Sequence, residues 1–428
     1  MSRWITVGLQ TRGVAWPNAE IKATYGGHEF VLRPGTDRLA PAIAMRCDES
    51  MPLGDAQQVI RRFLSALSWQ EQAPISEADT IGAAGPVQIG RRGPGDIVTN
   101  VFRTDHLAAP TSEKARLALA LYREAQNLKS ESVAYSFLGY FKVINVTHNR
   151  GAEQIAWING VLSTLKGYGV QERIAQLRAA HPDVGAYLYL SGRCAVAHAF
   201  SDPLVDPEDP TDLRRLATDL DVVRSLAEHL IENELSVPSL RAILAAHLYE
   251  LRGFHDVIGT ALVRRVIGEP TVSVAEFPTL PVLKIAIRGQ GPFAALSQLT
   301  SEVADAGDGR LFIRLTSPDA RVYGVLALNF ATERLEFDPF QLFDVVDDGS
   351  AIAARVQQEI LEFAWKLLLN GQMEVWDAEA GRLLGRSDPF VPVNVDFRRT
   401  EVNVERSRAS LATEIARREA LVAGPAAP

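Results

Sequence analysis

The chain has 428 residues, 47% hydrophobic and 22% charged, with a formal net charge of −8. That length supports two or three domains with real cores, and the composition is that of a globular chain rather than a disordered one. The acidic balance argues against a general nucleic-acid coat, whose affinity comes from Lys and Arg contacts to phosphate, although it leaves room for a small basic cleft. Cys47 and Cys194 make neither a disulfide framework nor a Cys-rich zinc site, so both are read as reduced thiols. The opening Met1-Ser2-Arg3-Trp4-Ile5-Thr6-Val7 has no long apolar run, and no later run reaches about 18 apolar residues. Neither a secretory signal nor a membrane span is expected, and the cytoplasm is the expected location.

In chain order, residues 1–105 read mostly as strands. Trp4–Leu9 is a short apolar run. Ala19–Thr24 and Glu29–Leu32 flank Tyr25-Gly26-Gly27-His28, a hairpin turn whose glycines tolerate positive φ. Pro52–Leu67 has helical spacing, with Val59, Ile60, Phe63, Leu64 and Leu67 on one face. Residues 82–95 are rich in Gly and Pro and read as a loop or edge hairpin. From about residue 110 long helices follow. Thr111–Leu128 carries Leu117, Leu121 and Ala125, with Leu119 and Tyr122 beside them. Glu131–Val146 carries a core stripe of Tyr135, Phe137, Tyr140 and Phe141. Helices are expected over Glu153–Leu165, Glu172–Ala180 and Asp183–Phe200. After a Pro-rich acidic loop, Asp209-Pro210 opens a helix with the stripe Leu213, Leu216, Leu220, Val223, Ala227 and Leu230, ending near Leu235: Asp caps free N–H groups and Pro suits the first turn. A further helix is expected over Leu240–Val263.

Strands return from about residue 270, over Thr271–Phe277, Val282–Arg288, Arg310–Leu315 and Val322–Phe330. Ala351–Leu369 reads as a long helix with Ile352, Val356, Ile360, Phe363 and Leu367 inward. Met373–Trp376 and Val391–Phe397 read as strands, residues 400–422 as a charged helix, and residues 424–428 as a frayed tail. The expected architecture is α+β: a β-rich N-terminal domain over 1–108, a helical bundle over 109–265, a mixed α/β C-terminal domain over 266–400, and a charged helix with a tail over 401–428.

The strongest chemical lead is Leu190-Ser191-Gly192-Arg193-Cys194-Ala195-Val196-Ala197-His198-Ala199. On an ideal α-helix, Arg193 and His198 sit roughly 140° apart and about 7.5 Å along the axis. They therefore do not stack on one face, but a long Arg side chain can swing toward the His. Such a pair suits cleavage of RNA: His moves protons near neutral pH, and Arg stabilises charge on a phosphorane-like transition state. The ordinary alternative is a structural Arg and His in a helix bundle. Cys194 and His198, four apart, share a face; a small buried Cys is the commoner reading. The acidic loop of Asp202, Asp206, Glu208, Asp209 and Asp212 lacks EF-hand spacing and reads as caps and solvated charge. Gly90-Arg91-Arg92-Gly93-Pro94-Gly95 lacks the Gly-Lys-Ser/Thr ending of a phosphate loop. His181, His229, His247 and His255 show no metal spacing.

The stretch 111–235 resembles the HEPN superfamily, the all-α domains of many toxin and defence ribonucleases. The resemblance rests on Ala115-Arg116-Leu117-Ala118-Leu119-Ala120-Leu121-Tyr122-Arg123-Glu124-Ala125, on Phe137-Leu138-Gly139-Tyr140-Phe141-Lys142, and on Arg193 and His198 as an Arg-x4-His motif. It implies a dimer through the helical domain and a metal-independent endoribonuclease using Arg193 and His198. The position after Arg193 holds Cys194, where active members usually carry Asn, Asp or His. Residues 192–199, Asp206-Pro207-Glu208-Asp209 and Asp219-Leu220 are also similar to bacterial MauJ proteins, whose label comes from methylamine utilisation and implies no reaction. Residues 110–235 hold 13 Lys and Arg against 16 Asp and Glu, a net of −3 that does not favour RNA.

The leading expectation is therefore a non-enzymatic accessory or interaction protein, a homodimer through its helical domain that leaves room for a protein partner, with RNA not favoured by charge. Its alternatives are the HEPN-type ribonuclease and a small-molecule-binding regulator. No cofactor, metal, membrane or DNA is expected.

Overall fold

The computed structural model describes residues 2–93, 97–99, 102, 104, 106–107, 109–200, 203–390 and 395–423. The chain divides into two compact units, Met1–Ala242 and Ile243–Pro428.

The first unit opens with β1 (Ser2–Gln10), β2 (Ala15–Pro17), β3 (Ile21–Tyr25), β4 (His28–Arg33), β5 (Ala42–Asp48), α1 (Leu53–Glu71), β6 (Ser76–Ala83) and β7 (Ile97–Thr99). An antiparallel sheet runs in the order β3-β4-β5-β1-β6, and β2 pairs with β7 in parallel. The β3–β4 turn is as expected, with Gly26 at φ +56° and Gly27 at φ +80°. β6 lies in the region expected to be mostly strands, but it has no apolar alternation to mark it. It is an edge strand, exposed along most of its length and held by its ladder to β1, so hydrophobic periodicity has nothing to report there. α1 lays Ile60, Phe63, Leu64 and Leu67 on the sheet, where the rings of Phe30 and Phe63 stack at 4.7 Å.

The helical part comprises α2 (Glu113–Leu128), α3 (Val133–Asn145), α4 (Gly151–Val161), α5 (Val170–Ala180), α6 (Val184–Tyr187), α7 (Ala195–Ala197) and α8 (Pro210–His229), with α9 (Leu240–Ala245) after it. Its core is tied to the sheet by the end of α1. The Trp69 ring meets Tyr122 edge-on at 5.0 Å, and its N–H donates to the Pro238 carbonyl at 3.1 Å. Two expectations about faces are corrected. On α2 the buried face is Ala115, Ala118, Leu119, Tyr122 and Ala125, while Leu117 is 43% exposed. Small residues let α3 come close, since a Cβ on Gly139 would lie 2.9 Å from that of Ala125. On α3, Phe137, Tyr140, Phe141 and Ile144 form the i, i+3, i+4, i+7 face and are fully buried; Tyr135 lies off it and is 61% exposed. α8 follows its expected stripe, capped by Asp209, whose carboxylate accepts from the Thr211 N–H, with Pro210 in the first turn.

The second unit contains α10 (Arg252–Ile258), α11 (Thr260–Gly268), β8 (Leu283–Ile287), β9 (Thr300–Gly307), β10 (Arg310–Thr316), β11 (Val322–Asn329), β12 (Arg334–Glu336), β13 (Phe343–Val345), α12 (Ala351–Leu368), β14 (Gln372–Asp377), β15 (Arg382–Pro389) and α13 (Phe397–Ala423). One sheet runs β12-β11-β10-β9 with β13 also on β11; another runs β15-β14-β8. Phe254, Val263, Phe363 and Leu367 share the core between them.

The single helix expected over 240–263 is broken twice. His247 and Tyr249 have positive φ, and Gly259 at φ +91° separates α10 from α11. Thr271–Phe277 holds only a 3-10 turn at Val274–Glu276 instead of a strand, and Ile352 is 57% exposed on the outer face of α12. Of the expected strand 391–397, residues 391–394 lie outside the described residues and Phe397 begins α13; the tail 424–428 also lies outside them. α13 packs Val404 against Trp365 and Leu368 of α12. No helix of the described residues is long and apolar enough to cross a membrane.

Candidate functional site

Arg193 and His198 come together. Their helical segment starts at Asp183, whose carboxylate accepts the Ala186 N–H at 2.8 Å. Between α6 and α7 the backbone is π-wound over Leu188–Cys194. The i→i+5 bonding of a π turn changes the angular offset that an ideal α-helix imposes. The helix stops at Ala197, and His198 leaves it with φ −131°. Arg193 Nη1 then lies 3.5 Å from His198 Nε2. A guanidinium has only donors, so this contact is a hydrogen bond only to a neutral ring. Both side chains are half-buried. The guanidinium also lies 5.6 Å from the centre of the Tyr189 ring and 3.7 Å from Cys194 Sγ, while Arg193 Nε is buried without a hydrogen-bond partner. Among the described residues no carboxylate is hydrogen-bonded to His198.

The segment is fastened from three sides. Gly192 lies against Phe137, where a Cβ would be 2.5 Å from the ring. Arg215 of α8 donates to the Ser191 carbonyl at 2.7 Å. Asp219 of α8 is 1% exposed. It accepts from Tyr187 Oη at 2.8 Å and from Arg173 Nε and Nη2 at 2.8 and 2.7 Å. Burial, with help from Asp219, pushes the Tyr187 phenol above its ordinary pKa. Beside the motif an open hollow of about 690 Å³ is lined by Tyr135, Val196, Leu204, Val205 and Leu213.

A family model described as "Methylamine utilization protein MauJ" matches residues 118–232. That span runs from α2 through α8 and includes Arg193 and His198. No curated protein and no solved structure matches the chain.

The other sequence leads fall into place as local structure. In the acidic loop the Asp206 N–H donates to Asp212 at 3.0 Å, and Asp206 accepts from the Glu208 N–H at 2.8 Å; Asp202 lies outside the described residues. No group of three or more His, Cys, Asp or Glu among the described residues is placed to hold a metal ion. Leu39 bridges to Arg91, so the start of the 90–95 segment is a paired turn; Pro94 and Gly95 lie outside the described residues. His181 stacks on Tyr187 at 3.9 Å, His247 reaches Asp388 at 3.2 Å and His255 reaches Glu333 at 2.7 Å.

Two groupings were missed by sequence reasoning. In the first, Tyr122 Oη donates toward Glu228 at 2.8 Å and contacts Gln72 at 2.6 Å, while Arg224 lies 3.3 Å from Glu228. Burial pushes the Glu228 carboxyl above its ordinary range, and Arg224 pulls it back. The second is a cavity of about 600 Å³ beside α1 and α2, lined by Arg61, Arg62, Arg116 and Arg123. Each grouping assembles from elements distant in the chain, so no local spacing announces it.

Proposed function

We propose that this chain is a non-enzymatic accessory protein linked to methylamine utilisation, acting as a homodimer through its helical domain. The family match over 118–232 supports the link, although it names no reaction. The observation that carries the reading is the state of Arg193 and His198. The guanidinium is engaged within its own chain by Tyr189, Cys194 and His198, and no carboxylate among the described residues orients the imidazole. Beside them lies a surface of the kind that partners cover: Tyr135 is 61% exposed, Phe200 89% and Leu204 46%. Tyr135 and Leu204 line the hollow, and exposed aromatic and apolar side chains of this kind are enriched at protein interfaces. Sedimentation of the wild type beside Tyr135→Glu tests the assembly. A dimer weakened by the substitution is expected; a wild type that stays monomeric at tens of micromolar ends the homodimer proposal.

A second reading, a HEPN-type ribonuclease, is favoured by the 3.5 Å approach of Arg193 to His198. There the 2′-hydroxyl of RNA attacks its own phosphorus, His198 takes the hydroxyl proton and later returns it to solvent, Arg193 steadies the phosphorane oxygens, and the 5′-oxygen leaves with a proton drawn from water. The products are a 2′,3′-cyclic phosphate end and a 5′-hydroxyl end. Wild type, Arg193→Ala and His198→Ala, each of checked fold, are assayed on several RNA classes with chelator present. The accessory reading expects no cleavage by any of them. Cleavage by the wild type that both variants lose would replace it with the ribonuclease.

A further inference from the structure

A cavity of the first unit lined by four arginines contains neither Arg193 nor His198. It lies beside α1 and α2, and the turn at Gly26 and His28 also lines it. α1 supplies Arg61 and Arg62, and α2 supplies Arg116 and Arg123. Among the described residues two carboxylates form ion pairs with these four cations, and Glu124 adds a weaker Coulombic pull on Arg123. Glu77 serves two of them, at 3.0 Å from Arg61 and 3.5 Å from Arg123, and Glu113 serves Arg116 at 2.7 Å. Arg62 has no ion pair among the described residues, and its Nε is buried without a hydrogen-bond partner. The Arg123 side chain is 14% exposed, and its Nη1 also has no partner. Burial pulls Arg123 below its ordinary pKa and Glu77 pulls it back, yet an arginine stays charged in a protein.

Buried guanidinium N–H groups left unpaired cost free energy, and a charged acceptor is the partner that relieves it. The first turn of the sixteen-residue α2 opens into the same space, adding the positive end of its dipole. The volume of about 600 Å³ exceeds what a bare ion fills and lies within the range of small-molecule sites. Val59 and Leu119 supply an apolar wall for the body of such a ligand.

We propose that this cavity binds a small organic phosphate, its phosphoryl oxygens taken by Arg62 and Arg123 and its body lying toward Val59 and Leu119. A phosphoryl group fits better than a single carboxylate because its three acceptor oxygens can meet guanidinium forks from two helices at once. The site stands apart from the Arg193–His198 edge, and neither reading of that edge bears on it.

The test is calorimetric titration of the full chain with pyrophosphate, adenosine monophosphate, citrate and a short RNA, repeated with Arg62→Gln, Arg123→Gln and, as a control far along the chain, Arg310→Gln. Arg62→Gln removes an arginine with no ion pair, so it guards against a variant that fails to fold. Saturable binding of adenosine monophosphate or pyrophosphate is expected. Its affinity should fall at least roughly tenfold in Arg62→Gln and in Arg123→Gln, and stay unchanged in Arg310→Gln. Binding of citrate alone, binding of RNA alone, equal affinity in all variants, or no binding of either phosphate at millimolar concentration would each overturn the proposal.

Discussion

Asp219→Ala is the most informative perturbation of the motif's support. Asp219 is 1% exposed and holds Tyr187, at the head of the π-wound segment, and Arg173 of α5 in one three-bond knot. Truncation leaves a phenol and a guanidinium facing a small void. Breaking a buried ion pair typically costs about 3–5 kcal/mol because the surviving charge is stranded. The Arg173 side chain is 24% exposed, so water recovers part of that, and about 2–4 kcal/mol is expected. For a unit of this size that corresponds to a melting shift of roughly 5–15 °C.

The control is Asp221→Ala on the same helix, exposed and only loosely paired to Lys129 at 3.9 Å and Arg224 at 3.7 Å, where a change within about 0.5 kcal/mol is expected. Thermal unfolding gives the size of the effect, and hydrogen exchange of peptides spanning 184–200 gives its place. Faster exchange confined to that segment and to α5 is expected in Asp219→Ala. A melting shift no larger than that of Asp221→Ala, or unchanged exchange over 184–200, would refute the argument that Asp219 anchors the motif.

Gly192→Ala places a methyl 2.5 Å from the fully buried Phe137 ring, which stacks on Phe141 at 5.4 Å and has little room to move. Overpacking of about 1–3 kcal/mol outweighs the roughly 1 kcal/mol that Ala gains in a helix. A lower melting temperature is expected, and a higher one would show that the ring yields. In the second unit, Arg418 of α13 grips Asp347 with two hydrogen bonds, at 2.5 and 2.8 Å, and holds it at a pKa of about 2. Because this folded pKa is depressed, the contribution is present above the unfolded value near 3.8 and fades as pH falls toward 2. α13 should become protease-sensitive across that window before α12 does, and Arg418→Gln should show the same sensitivity at pH 7; simultaneous loss of both helices would contradict it.

Much of the architecture was legible because it rests on local physics. The Tyr25–His28 turn, the Asp209-Pro210 cap and the α8 stripe are set by backbone preference and period, which a short window contains. Arg193 and His198 were legible as residue types at a suggestive spacing. Their 3.5 Å approach was not, because it depends on π winding over 188–194 and on the helix ending at Ala197. The Leu117 and Tyr135 faces were misjudged for a related reason: the sequence shows which residues are apolar, but close packing of α2 on α3 decides which face is inside.

By itself, then, the sequence determined the α+β order, the helix boundaries carried by caps and stripes, and the candidacy of Arg193 and His198. Only the tertiary structure decided which carboxylates are spent where. Glu77 is shared between Arg61 of α1 and Arg123 of α2, and Asp219 is shared between Tyr187 and Arg173. Charge pairing acts through space over a few ångströms, while these partners stand tens of residues apart in the chain, so which arginines remain unpaired around the α1–α2 cavity is a property of the fold.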